Sequence, residues 1–159
     1  LNLPDGSLGN ENIHTNIVKN SIEKVSPDLI VTHYHKDYHS DHVNLSKIVK
    51  RSAGHYIPIL YCDTMMGINF LPNYYVDVTK FMNDKINSIT CHKTQKHERF
   101  INLVKLMNEY RSAQCNAPKG NYAEAYFFEP SFPFSDIRNI LPKSPKILPF
   151  HIENINGFL

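Results

Sequence analysis

The chain has 159 residues, 42% of them hydrophobic and 20% charged, which is enough for one domain with a real core. Its formal charge of +2, with no Lys/Arg run, does not build a nucleic-acid surface. No apolar stretch approaches the ~20 residues of a membrane span, and LNLPDGSLGNENIH lacks the basic-then-apolar build of a signal peptide.

In chain order, a turn-like LPDG comes before any regular element, as inside a domain rather than at its start. Residues 11–25 then place Ile17, Val18, Ile22 and Val25 on one helical stripe. Pro27 stops that helix, because proline cannot continue the hydrogen-bond ladder. DLIVTH (28–33) is a short apolar run rich in β-branched residues and predicts a buried strand. VNLSKIVKRSAGH sets Leu45, Ile48, Val49 and Ala53 at helical spacing, with Gly54 placed to cap it. IPILYCDT (57–64) and YYVDVT (74–79) predict two more strands. Residues 80–95 and 99–113 predict helices whose apolar faces are Met82/Ile86/Ile89 and Phe100/Leu103/Val104/Met107. YAEAYFFE (122–129) is a late strand, and from Pro130 the chain is Pro-rich, as in a surface wrap or tail.

Helices alternating with short apolar strands specify an α/β fold with a largely parallel sheet. Sites in such sheets gather beyond the carboxyl ends of the strands. THYHKDYHSDH (32–42) lies at such an end, with four histidines and two aspartates in eleven positions. His14, His55, His97 and His151 are scattered and carry no pattern. Cys62, Cys91 and Cys115 are odd in number, widely spaced and without CxxC. They fit core packing in a reducing, cytoplasmic compartment rather than a disulfide framework.

Two metal-site patterns compete for the His-rich stretch. His33-Tyr34-His35-Lys36-Asp37 begins the HxHxDH pattern of metallo-β-lactamases, but Tyr38 intrudes before His39, and the glycine-rich loops of that fold are missing from a chain with 6 glycines. The other end of the stretch, Asp37-Tyr38-His39-Ser40-Asp41-His42 within PDLIVTHYHKDYHSDHVNLSKIVKRSA, resembles the second motif of the PIG-L/LmbE-like family of zinc-dependent N-acetylglucosaminyl deacetylases. There a strand ending in Thr-His is followed by Asp-x-His-Pro-Asp-His and a helix. LPDG (3–6), CHKTQ (91–95) and YAEAY (122–126) resemble further landmarks of the family, in its order, over about residues 1–130.

The resemblance implies a Rossmann-like α/β domain, with residues 1–130 its C-terminal part and 131–159 an extension wrapping the domain or a partner. It implies a Zn2+-dependent hydrolase that removes acetyl from an N-acetylated amino sugar or its conjugate. By the same resemblance His42 is a zinc ligand. His39 and Asp41 are an imidazole–carboxylate pair that stabilises the oxyanion or protonates the departing amine. The bland role for Asp41 is a helix N-cap. Asp37 and Tyr38 line the sugar pocket. His35 stands where the family often has proline, Ser40 also replaces a proline, and His33, His92 and Glu124 receive no chemical step.

The family's first motif, His-Pro-Asp-Asp-Glu, supplies two more ligands and the general base. No such motif occurs in this sequence, where the nearest pairings are Pro27-Asp28 and Ser135-Asp136. The expectation is therefore one zinc ligand in this chain and the rest on an N-terminal remainder of the same domain or protein. Without those strands a sheet edge lies open, and the tail KSPKILPFHIENINGFL could dock on a neighbour in a homo-oligomer. The alternative from another class is a non-catalytic sugar-binding or interaction module of the same fold.

Overall fold

The computed structural model describes residues 3–9, 12–53, 55–94 and 96–148. Gly54, Gln95 and the tail from residue 149, with its expected docking role, lie outside the described residues. The elements are α1 (Asn12–Val25), β1 (Ile30–Thr32), α2 (Ser40–Ala53), β2 (Ile59–Cys62), β3 (Tyr74–Asp77), α3 (Met82–Thr90), α4 (His97–Gln114) and β4 (Ala123–Phe128), with three short 3₁₀ turns. Every predicted helix and strand is present. The α1 stop is local: Ser26 takes a left-handed φ of 49°, its N–H donates to the Ile22 carbonyl at 2.8 Å, and Pro27 follows.

The strands form one α/β sheet in the order β1-β2-β4-β3. β1 and β2 run parallel, with Ile30 opposite Ile59, whereas β2 and β4 run antiparallel, with Leu60 opposite Phe128. The sheet is thus mixed rather than largely parallel, because the late strand enters beside β2 in the reverse direction. Among the described strands β1 lies at one edge, and its expected burial is corrected at Val31, which is 53% exposed.

The chain divides into two compact units, residues 1–74 with 125–141, and residues 75–124 with 142–159. In the first, α1 packs on α2, burying Val18, Ile48, Val49 and Ala53. Its core is Leu60, Phe128 and Ile137, flanked by Leu29, Tyr74, Tyr126, Phe134 and Leu141. Ile137 comes from the Pro-rich stretch, so that stretch supplies core rather than only surface. Tyr61 is buried beside Tyr34 and Phe127, and burial, helped by Glu129, pushes its phenol up to about 12.

The raised Tyr61 value makes a pH prediction. The folded chain keeps a proton that the unfolded chain releases near 10, so this stability is full below pH 10 and is lost as pH rises toward 12. Two units correspond to roughly 2–3 kcal/mol. Denaturant midpoints measured from pH 9 to 12 should fall less steeply in Tyr61→Phe than in the parent, and parallel curves would refute the assignment.

In the second unit α3 packs on α4. The buried residues of α4 are Asn108, Arg111 and Ser112, and this corrects the expected face, whose Phe100, Leu103, Val104 and Met107 are only half-buried. Asn108 and Arg111 go inside with hydrogen-bond partners, Arg111 donating to Gln114 Oε1 at 2.8 Å, whereas the buried Ser112 Oγ has none among the described residues. Asn108 Nδ2 donates to the Ala123 carbonyl at 2.6 Å, and its Oδ1 accepts from Lys85 Nζ at 3.0 Å. Lys85 also reaches Glu124 at 2.5 Å. Glu124 therefore stands in a structural ion pair. Lys85→Met should cost about 1–3 kcal/mol in a denaturant titration, as for a lost charged hydrogen bond, and a change under 0.5 kcal/mol would remove that role. The chain after Pro142 is tied to this unit by Asp77 N–H on the Lys143 carbonyl and Asn116 Nδ2 on the Leu148 carbonyl. No described helix is long and apolar enough to cross a membrane.

Candidate metal centre

The site grows from the junction between β1 and α2. β1 ends at Thr32, and the next ten residues turn the chain into the first turn of α2. Asp37 N–H closes a turn on the Tyr34 carbonyl at 3.1 Å. The Asp37 carboxylate then does two things. Oδ1 accepts the His39 N–H at 3.1 Å, and Oδ2 lies 3.1 Å from His42 Nδ1. With its side chain only 6% exposed, Asp37 is a nearly dry carboxylate held by the turn it shapes. Burial alone pushes its carboxyl upward, but the N–H groups of His39 and Tyr38 and the His42 imidazole outweigh that and hold it below its ordinary range.

His42 is the hub. Its ring stacks on His33 with centroids 3.8 Å apart and planes within 1°, and on His39 at 4.7 Å and 28°. Burial first, then the neighbouring His42 charge, lowers the His33 pKa, with Asp37 opposing. His33, Asp37 and His42 each offer one donor atom, and these atoms all lie within 4.8 Å of one another. Two imidazole nitrogens and one carboxylate oxygen are a donor set that zinc accepts. The residues present thus fit the metal that the resemblance implies, and they do so with two donors, His33 and Asp37, that sequence reasoning did not assign as ligands. The signal was available in part, since His33 is the first residue past the strand end.

The remaining site residues depart from expectation in instructive ways. The expected His39–Asp41 side-chain pair is absent. His39 is the N-cap of α2: its carbonyl accepts the Val43 N–H, and its Nδ1 accepts the Asp41 backbone N–H at 3.3 Å. That acceptor role assigns the His39 proton to Nε2. The Asp41 carboxylate instead turns to the LPDG loop, accepting Gly6 N–H at 2.7 Å and Leu8 N–H at 3.2 Å. Gly6 can present its N–H this way because its φ is +74°, a conformation that suits glycine. Asn44 adds a second clamp, Nδ2 to the Leu8 carbonyl at 2.6 Å, a contact the sequence did not announce.

This clamp makes one wall of a cleft of about 300 Å³ lined by Leu3, Pro4, Asp5, Leu8, His33, Asp41, His42 and Leu45. Among the residues expected to bind sugar, Asp37 points inward and Tyr38 is 68% exposed, and neither lines that cleft. His35 packs against Tyr34, Tyr61 and Phe127 in the aromatic cluster. His92 is exposed. The three cysteines form no disulfide, and Cys91 is exposed rather than core.

Residues 1–53 match the family model PIG-L, described as GlcNAc-PI de-N-acetylase. The match takes in LPDG and the whole of 32–42, whereas CHKTQ and YAEAY lie beyond it. Among solved structures the fold is similar to GalB, the 4-carboxy-2-hydroxymuconate hydratase from Pseudomonas putida KT2440, with a TM-score of 0.66 at 15% identity. That likeness covers 92% of this chain and 65% of GalB, so the chain spans less than two thirds of the neighbour's length.

Proposed function

We propose that the chain, whose residues 1–53 match the PIG-L family model, serves in a zinc-dependent amide hydrolase that removes the N-acetyl group from an amino sugar or its conjugate. The observation that carries this reading is His42: it is the ligand position of the family motif, and it stands at the wall of a cleft beside two further donors. Zinc held there would supply Lewis acidity and a water that ionises near neutral pH.

The chain's own residues do the rest. Asp37, through Oδ2, fixes the rotation of the His42 ring. Asp41 and Asn44 hold the Pro4–Leu8 loop against the first turn of α2 and so set the cleft's width. In the tautomer fixed by Asp41 N–H, His39 carries an Nε2–H able to donate to an oxyanion.

The test is acetate release from N-acetylglucosamine conjugates by the full-length protein, before and after chelation and zinc restoration. Zinc-restored release supports the reading. Release indifferent to chelation, or turnover only of an unsaturated carboxylate such as the neighbour's hydratase substrate, would overturn it.

A further inference from the structure

We infer that the far end of α2 carries a second binding site, apart from the metal centre, that takes a small phosphorylated polyol. The inference does not rest on the proposed hydrolase, because Lys50 lies eight residues beyond His42, about 12 Å along the helix axis.

The site starts from a charge pattern. Lys47, Lys50 and Arg51 stand at i, i+3 and i+4, which puts three cations on one face of α2. With His55 just past the helix end they line an open cleft of about 490 Å³, and no carboxylate is among its walls. Cations in a last turn complement the helix dipole. Lys47 stands a turn earlier, where that benefit fades and its like-charged neighbours repel it. An anion seated among the three removes the repulsion.

A second cleft, of about 140 Å³, shares Lys50 and His55 with the first and adds Ile59, Tyr61 and Glu129. Tyr61 marks it as a built site. It is 2% exposed, yet its hydroxyl has no hydrogen-bond partner among the described residues. Its contacts are those of the ring, with Tyr34, His35 and Phe127. Buried hydroxyls nearly always have a partner, so a phenol of this kind on a cleft wall calls for one from a ligand. Glu129 Oε2 accepts from Lys50 Nζ at 2.6 Å, which meets its charge and leaves Oε1 to accept from a ligand hydroxyl. Phenol and carboxylate on one wall recognise an alcohol, which accepts from the first and donates to the second. The cationic face recognises a phosphate through charge-assisted bonds. A short polyol phosphate joins the two, and the smaller cleft admits a body of only a few carbons.

The experiment titrates the full-length protein, stripped of metal, with glycerol 3-phosphate, inorganic phosphate and glycerol by calorimetry at fixed ionic strength. Glycerol 3-phosphate should bind once per chain and about tenfold tighter than inorganic phosphate, as for two added neutral hydrogen bonds, and glycerol should give no heat. The double variant Lys47→Gln with Arg51→Gln should lose more than tenfold toward both phosphates, the size of a lost charged hydrogen bond. Tyr61→Phe keeps the ring in its cluster. It should weaken glycerol 3-phosphate about three- to tenfold, as for one neutral hydrogen bond, and leave inorganic phosphate within about twofold. Lys19→Gln, on α1, controls for a general loss of charge and should change neither. Melting curves identify a variant that fails to fold; if that is Tyr61→Phe, Glu129→Ala replaces it, read as the ratio of the two affinities.

No binding of glycerol 3-phosphate at millimolar concentration overturns the inference. So does equal binding of both phosphates that Tyr61→Phe leaves unchanged, because the face is then only diffuse charge. Binding that His42→Ala abolishes and the double variant keeps also overturns it, since the ligand then sits at the metal centre. Binding with the expected dependence upholds the site whether or not the protein releases acetate.

Discussion

His42→Ala should abolish acetate release, by at least about 10³-fold in kcat/KM, while leaving the fold intact. A factor of 10³ corresponds to about 4 kcal/mol of transition-state stabilisation, within what a metal contributes as Lewis acid and source of hydroxide. The effect is large because one imidazole meets three groups of the cluster: the Asp37 carboxylate at 3.1 Å, the His33 ring at 3.8 Å and the His39 ring at 4.7 Å. The fold should survive because the His42 side chain is 34% exposed and lies at a helix start, not in the core. His39→Ala makes the contrast. Loss of one oxyanion donor costs about 10²–10³ in kcat, and metal content should stay the same. Steady-state kinetics and metal content on both variants separate the two roles. If His42→Ala keeps a tenth of the parent's activity, the ligand assignment fails.

Phe128→Ala should remove about 3–5 kcal/mol of stability, the usual cost of truncating a buried aromatic. Phe128 is 2% exposed and sits against Leu60 and Ile137, with the Tyr74 ring edge-on at 5.9 Å. Asn73 brackets it, donating to its carbonyl at 2.7 Å and accepting its N–H at 2.8 Å, so the backbone is held and the cavity cannot collapse. Against a typical total of 5–15 kcal/mol, this is a large share. Ile137→Ala should cost about 2–5 kcal/mol from the same core, although Ile137 lies in the Pro-rich stretch. Denaturant midpoints measure both, and a shift below 1 kcal/mol for Ile137→Ala would mean that the stretch is only a surface wrap.

Local signals were read from the sequence where one segment carries the whole cause. The helix of 12–25 has its stripe and its proline, the strand at 30–32 has its β-branched residues, and the stretch at 32–42 has its density of histidines. These depend on neighbours within a few residues, so the chain itself specifies them. The polar interior of α4 could not be read that way. Asn108 is buried because the Ala123 carbonyl, fifteen residues on, needs a donor, and no periodicity announces such a pairing.

The same distinction runs through the candidate site. Sequence alone determined the α/β class and placed the His-rich stretch past the end of the first strand. Only the tertiary structure decided what each neighbour does with its hydrogen bonds. Asp41 lost its expected imidazole because two backbone N–H groups from residues 6 and 8, more than thirty positions away, reach its oxygens. Asp37 became a partner of His42 because the Tyr34–Asp37 turn folds its carboxylate back over the first turn of α2. A motif fixes which groups are available within a segment, but the geometry that assigns them partners is set by where the rest of the chain places its donors.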